Sequence, residues 1–330
     1  MRHASWVRRD GRQGVRRALA AVLCLPVLAA AQTFPAKPIR IIATATAGGG
    51  VDTSSRIVAQ HMTEVLGQPG VVENRPGGGG AAGSDFVAKS TPDGHTLLTI
   101  SISHAVLPSS HKNLPYSPER DLFPVSVMVN SPNILVAHPS LPVKSIKELI
   151  AYARKRPGAI NYASSGNASP SHLATENLKL LAHIDLTHVP YKGTVPGLTD
   201  VLAGRVSLMF TSILSAQHFI DAGRLRVLAT AGSRRAAGAP GVPTIAEAGV
   251  PGYAVDVWYA MLAPAATPRP VLERLNQAVA KILRAPDVEK KLVSLGLEPV
   301  AESLAATDAY MKAEIRKWAR VVEAAKISAD

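Results

Sequence analysis

A single cysteine in 330 residues, Cys24, removes several chemistries at once. There is no partner for an intramolecular disulfide and no thiolate set for a metal. After Gln32 no apolar run approaches the ~20 residues that a spanning helix needs, so nothing beyond that point reads as a membrane anchor. The short signatures of catalysis are missing too: there is no phosphate loop ending in Gly-Lys-Ser/Thr, no His-Glu-x-x-His and no Gly-x-Ser-x-Gly. Gly78-x-Gly80-x-x-Gly83 has the spacing of the dinucleotide fingerprint, but it follows Arg75-Pro76 instead of leaving a strand directly, and it reads as a turn. The basic clusters Arg154-Lys155-Arg156 and Arg234-Arg235 are short and lack interleaved aromatics, which makes them solvated faces and not a nucleic-acid surface. The ten histidines are scattered; His61 on a helix face and His188 in a strand read as structural. No internal repeat is evident, and no metal site or cofactor is expected.

What is present begins at the front. Arg8, Arg9, Arg16 and Arg17 precede an apolar run over 18–30 that closes on small residues, the layout of a cleavable secretory signal peptide over residues 1–31 with cleavage near Ala31. The run is too short to span a bilayer. Cys24 follows Leu23, whereas a lipid-modified cysteine wants a small residue before it. Residues 1–31 hold six arginines and one acid, so the remaining chain carries 30 basic and 23 acidic groups, a net charge of about +7 in place of +12. That mild positive field suits an anionic ligand. The expected location is the periplasm, where nucleotide cofactors are scarce.

About 300 remaining residues exceed one usual core, so two domains are expected. Strand and helix patterns alternate along the chain. Residues 39–45 form an apolar run, then a glycine turn at 48–50, then apolar residues at helical spacing up to Gly67. Strands are also expected over 71–73, 96–101, 134–137, 160–163, 187–191, 206–211, 225–231 and 257–263. Helices are expected over 83–89, 142–152, 170–182, 196–203, 216–222, 270–283, 288–296 and 307–325. Ser145 and Glu148 have capping-box spacing, and Ser169-Pro170 is an N-cap with proline at the first helical position. Such alternation predicts an α/β protein with mainly parallel sheets, whose ligands bind beyond the carboxyl ends of the strands. Those ends carry Gly, Ser, Thr and Asn, exposing backbone N–H groups at helix N-termini, which suits a carboxylate.

A hydrolase would need Ser164, Ser165 or Ser169 as nucleophile and His172 or His188 as base. Those serines are explained more simply as cap and turn residues. Asn167-Ala168-Ser169 is a glycosylation sequon in form only, since Pro170 follows.

Several stretches resemble one known family. They are Phe34-Pro35-Ala36-Lys37-Pro38-Ile39-Arg40, Gly48-Gly49-Gly50-Val51-Asp52, Val72-Glu73-Asn74-Arg75-Pro76-Gly77 and Pro92-Asp93-Gly94-His95-Thr96-Leu97-Leu98. Leu114-Pro115-Tyr116, Asn161-Tyr162-Ala163-Ser164-Ser165-Gly166-Asn167, His188-Val189-Pro190-Tyr191-Lys192-Gly193 and Pro243-Thr244-Ile245-Ala246-Glu247-Ala248-Gly249 complete the match, in order, from Phe34 to the C-terminus. The chain looks like the Bug family, extracytoplasmic substrate-binding proteins of tripartite tricarboxylate transporters.

The resemblance implies a type II periplasmic-binding-protein fold: two α/β lobes, 34–129 plus 254–330 and 130–253, joined by two crossovers and closing on a cleft. It implies a small organic anion as ligand, a di- or tricarboxylate or an aromatic acid, held by main-chain groups in the turns of both lobes. It also implies membrane permease subunits as partners, no nucleic acid, a monomer and no enzymatic turnover. A sensor in place of a permease, or an exported hydrolase, are the alternatives. Carried onto this chain, the ligand turns are Thr44 to Asp52, with Thr46, Gly48 and Gly49; Ser101 and Ser103; Ser164, Ser165, Gly166, Asn167 and Ser169; and Tyr191, Lys192 and Thr194. Gly48 and Gly49 are expected to let the main chain approach, Asp52 to cap the first helix, and Lys192 to meet a second acid group or stand exposed. Arg75 is expected to be structural, paired with Glu73, and Trp258 to pack at the hinge.

Two departures bear on the ligand. The family's first turn commonly reads Pro-Phe-Ala-Pro-Gly-Gly-Ala-Thr-Asp, where this chain has Thr44, Ala45, Thr46 and Ala47 at the first four places and Val51 before Asp52. The family's common aspartate after Met-Phe is Thr211 here. Loss of an aromatic is expected to widen the cleft at Ala45, and loss of the acid to favour a ligand without an ammonium group.

Overall fold

The computed structural model describes residues 34–111 and 113–327, together with residues 1 and 3. The expected leader, with its cleavage point and Cys24, otherwise lies outside the described residues.

Two sheets organise the chain. The first contains β1 (Ile39–Ala43), β2 (Gly70–Asn74), β3 (Thr96–Ser101), β4 (Leu122–Asn130), β10 (Trp258–Pro264) and the two-residue β11 (Glu298–Pro299), in the order β11-β4-β10-β3-β1-β2. The second contains β5 (Asn133–Ala137), β6 (Asn161–Ser164), β7 (Thr187–Pro190), β8 (Leu208–Ser212) and β9 (Arg226–Thr230), in the order β7-β6-β8-β5-β9. The helices that matter to the site are α1 (Gly50–Leu66), α5 (Pro170–Ala182), α6 (Thr194–Leu202), α7 (Ile213–Asp221) and α9 (Pro286–Ser294). Packed on the sheets are α2 (Ala81–Ala88), α3 (Ser103–Ser110), α4 (Ile146–Lys155), α8 (Arg269–Leu283) and α10 (Leu304–Ala325). No helix among the described residues is long and apolar enough to cross a membrane.

Both sheets are mixed, which corrects the expectation of mainly parallel ones: five of the nine pairings are antiparallel. The reversed strands have a common cause. β4 ends at Asn130 on the side where the forward strands finish, and β5 starts there, so β5 must run against β8, with Asn133 opposite Ser212. The chain returns the same way, and β10 runs against β3 with Tyr259 opposite Ser101. The two crossings touch, Ser131 N–H donating to the Val257 carbonyl at 2.6 Å. β4 itself was not legible in the sequence, because Pro124 breaks its pattern; the irregular register of β10 opposite Pro124 absorbs the missing N–H. α3 and β11 were missed as well.

The central strands are covered on both faces, which explains their unbroken apolar runs. Ile41 and Leu97 face one cluster while their neighbours Ile42 and Leu98 face another, as period-2 alternation requires. In β5, Ile134 and Val136 face one layer and Leu135 and Ala137 the other. Helix starts follow the expected chemistry: Ser145 accepts from Glu148 N–H, and the Glu148 carboxylate reaches back to Lys144 N–H at 2.7 Å.

Trp258 is fully buried and is not among the residues that line the cleft. Its Nε1 donates to Glu314 at 3.0 Å, and the same carboxylate oxygen accepts from Trp318 Nε1 at 3.0 Å. Lys317 pairs with the other oxygen. Glu314→Ala leaves two indole N–H groups without a partner, and a buried unsatisfied donor costs about 1–3 kcal/mol. The expected result is a loss of roughly 2–4 kcal/mol in denaturant unfolding with ligand affinity unchanged, because none of these side chains lines the cleft.

Candidate ligand-binding cleft

Between the two sheets lies a cavity of about 360 Å³. Four helix N-termini line it. α1 contributes Gly50 and Thr53, with Gly48 just ahead; α5 contributes Pro170 and Ser171; α6 begins at Thr194; α7 presents Leu214 and Ser215 beyond its cap Ser212. The strand ends and crossovers add Ser131, Asn133, Phe210, Thr211, Val257 and Tyr259, and the turn after α9 adds Leu295 and Leu297. Among the described residues, no charged side chain lines this cavity. The positive potential comes instead from the unpaired N–H groups and dipoles of the four helix starts, each equivalent to about half a charge.

The first turn is rigid because Asp52 holds it. Its carboxylate, almost fully buried, accepts from Gly48 N–H at 2.9 Å, Arg56 Nε at 3.0 Å and Asn74 Nδ2 at 2.8 Å. Asn74 Nδ2 also donates to the Ala45 carbonyl at 2.9 Å, which ties β2 to the same turn. Asp52 thus closes the start of α1 from within the helix, reaching back past the cap residue Gly49. Gly48 has φ of 82°, a left-handed conformation that costs glycine least. Burial alone would raise the Asp52 carboxyl, but the hydrogen bonds from Arg56, Gly48 and Asn74 together hold it below its ordinary value. A lowered folded value means that this stability is present above the unfolded value near 3.8 and is lost as pH falls through the folded one. Asp52→Asn is therefore expected to destabilise the neutral protein by about 1–2 kcal/mol and to flatten its stability loss below pH ~4, read by urea unfolding against pH.

The second lobe's turn after β6 is a hydroxyl network. Ser165 N–H donates to Ser171 Oγ at 3.0 Å, and Ser171 Oγ lies 3.2 Å from Ser165 Oγ and 3.1 Å from Ser169 Oγ. Ser169 caps α5 at His172 N–H. Ser164 turns the other way: it is fully buried, with Oγ 2.6 Å from His188 Nε2. His188 stacks on His172, ring centroids 4.0 Å apart, and Tyr162 O–H beside them donates to Glu176 at 2.6 Å. Burial, reinforced by the neighbouring His188, pushes His172 down to about 4, and burial also lowers His188, so both rings are neutral at pH 7. The Ser–His contact that a hydrolase needs therefore exists, but on a serine closed off from the cleft. Ser165, which does face the cleft, has serine neighbours and no imidazole.

Of the sequence-predicted residues, the cleft collects Gly48, Ser165, Thr194 and Thr211. Thr211 lines the cavity and is 2% exposed, but its Oγ1 is itself closed off and has no hydrogen-bond partner. The others serve elsewhere. Thr44 Oγ1 donates to the Thr99 carbonyl at 3.0 Å, and the Thr46 carbonyl accepts from Gly49 N–H. Ser101 ends β3 and Ser103 starts α3, outside the lining. Gly166 N–H donates to Ser164 Oγ, and Asn167 is exposed. Tyr191 O–H donates to Asp200 at 2.7 Å, and burial together with Asp200 pushes the phenol up to about 12. Lys192 is exposed, and Ala45 is not in the lining. Arg75 is structural as expected, its Nε bonded to Glu73 at 2.6 Å and its guanidinium 3.7 Å above the Phe86 ring.

Gly50 falls within the expected turn from Thr44 to Asp52; the sequence reading missed Thr53, Ser171, Ser212 and Ser215, although each sits in the first turn or cap of a helix, so helix-start position was the usable signal. Ser131, Asn133, Val257, Tyr259, Leu295 and Leu297 are brought in by tertiary structure.

A family model described as "Tripartite tricarboxylate transporter family receptor" matches residues 54–327. Protein BugT of Bordetella pertussis (strain Tohama I) is 37% identical over 294 residues, 88% of this chain and 90% of that one. Among solved structures, R. palustris Rpa4515 with adipate is 35% identical with a TM-score of 0.76, covering 89% of this chain and 99% of that one. MatC (Rpa3494) from Rhodopseudomonas palustris with bound malate is 32% identical with a TM-score of 0.73, covering 88% and 100%. The two-lobed α/β fold, the ordered motifs and the match over most of its length converge: this chain belongs to the TctC family of tripartite tricarboxylate transporter receptors.

Proposed function

We propose that the protein captures a small amine-free organic carboxylate outside the cytoplasm and delivers it unaltered to a tripartite transporter. The observation that carries this reading is the convergence of four helix N-termini on a cavity whose described lining has no charged side chain. Such a site satisfies an anion with backbone donors and hydroxyls. The relatives bound to adipate and malate support the carboxylate class. The lobes, 34–129 with 254–330 and 130–253, close because the ligand meets both only when they are shut, and binding shifts the open–closed population. Charge-assisted hydrogen bonds of about 1.5–3 kcal/mol each support micromolar affinity, near −8 kcal/mol. The protein acts as a monomer in the periplasm, after loss of residues 1–31.

Calorimetry of the protein without residues 1–31 against mono-, di- and tricarboxylates, followed by mass spectrometry of the recovered ligand, tests this. Saturable binding with an unchanged ligand is expected. No binding to any acid, or recovery of a new product, overturns it.

A further inference from the structure

Leu214 and Leu297, which line the cavity, also line a second groove of about 250 Å³. Ile213 and Gly238 from the second lobe form one side; Val293 and Gly296 from the first form the other. The lobes nearly meet there, since a Cβ on Gly296 would sit 3.3 Å from Leu214 Cβ. Leu214 and Val293 are each 56% exposed, large apolar side chains left bare at the groove. The Glu298 carboxylate and the Gln217 amide nitrogen along it are engaged. Glu298 accepts from Arg234 and, at 2.8 Å, from Ala237 N–H, and Gln217 Nε2 donates to Asp221 at 2.7 Å. The groove is thus a mainly apolar surface that shares two leucines with the anion site, and an apolar group placed there leaves water.

We infer that the ligand bears its carboxylate at the helix starts and an uncharged apolar body, an alkyl chain or a ring, that runs past Leu214 and Leu297 into this groove. The inference rests on the carboxylate reading above. It sets a direction for specificity: apolar length tightens binding, and a second charge at the far end weakens it.

The test is calorimetry at fixed ionic strength with unbranched acids from butanoate to decanoate and with diacids of the same lengths. Each methylene that enters the groove is expected to tighten binding about fourfold, the fold-change equivalent to ~0.8 kcal/mol per buried CH₂. The matching diacid is expected to bind at least about tenfold more weakly than the long monoacid. Two groove variants outside the cavity lining complete the test. Val293→Asn alters a half-exposed side chain. Gly238→Phe plugs the groove without backbone strain, since a Cβ there meets only Ile213 carbons at 3.7 and 3.9 Å. Both are expected to flatten the length dependence while leaving butanoate affinity unchanged. Acids that bind with no length dependence, or a length dependence that survives both variants, overturn the inference and leave the carboxylate reading standing. If no acid binds at all, both fall together. If the groove serves instead as a docking face for another protein, filling it leaves every acid's affinity unchanged, which also overturns the inference.

Discussion

Gly50→Ala is expected to weaken ligand capture severely and to lower the melting temperature by several degrees. Gly50 is the first residue of α1 and the Tyr259 ring lies on its Cα; an added Cβ would fall 2.5 Å from ring carbons Cε2 and Cζ. Neither backbone can retreat easily. Tyr259 is paired with Ser101 on one side and Val129 on the other, and the turn before Gly50 is held by Asp52. The ring must therefore turn, and both residues line the cavity. Overpacking of this kind costs about 1–3 kcal/mol. Displacing a wall and a helix start together is expected to weaken carboxylate binding at least about 100-fold, a loss of ~2.7 kcal/mol. Adding Tyr259→Ala removes the clash, so the double variant is expected to lose less stability than the sum of the two single losses, a coupling read by thermal melts of all four proteins. Unchanged melting and affinity in Gly50→Ala would contradict the close approach.

The second large effect is a reversal of ligand preference in Thr211→Asp. Thr211 sits in β8 opposite Ile134, nearly fully buried, and is one of the residues that line the cavity. A carboxylate at that position faces the bound anion; at ~5 Å and an effective dielectric constant of ~20 the repulsion is about 3 kcal/mol, roughly 100-fold in affinity. Burial and the neighbouring anion both favour the neutral acid, so the introduced carboxyl is expected to have a raised pKa. Binding of amine-free acids should recover as pH falls through that value, because protonation removes the repulsion. Amino acids, whose ammonium finds a partner, should gain affinity at neutral pH. Titrations of the variant with one acid and its α-amino analogue at two pH values decide the matter. Retained affinity for the amine-free acid at neutral pH would show that Thr211 does not face the ligand.

How much of this was legible in the sequence depends on range. Gly48, the Ser145–Glu148 box and the Ser169-Pro170 start are local features, and each forms as the sequence indicates because its partners lie within a few residues. Strand direction was misread because β5 and β10 take their sense from where the chain enters each lobe, and that is invisible to periodicity. Hydroxyl and phenol roles were misread for a related reason. Tyr191 and Ser164 lie in the right turns, but their side chains found Asp200 and His188 instead of the cavity. The apolar side of the site, Val257, Tyr259, Leu295 and Leu297, reaches the cavity only through the return crossing and the turn after α9, so only the three-dimensional structure reveals it.

The most direct test of a cleft whose charge complement comes from helix starts is a titration with one organic acid and its primary amide. The two share shape, length and apolar surface, and differ in the charge that the backbone amides attract. Saturable binding of the acid with at least about a 100-fold preference over the amide, ~2.7 kcal/mol, is the expected result. Equal affinity for the two would contradict anion capture by the helix N-termini.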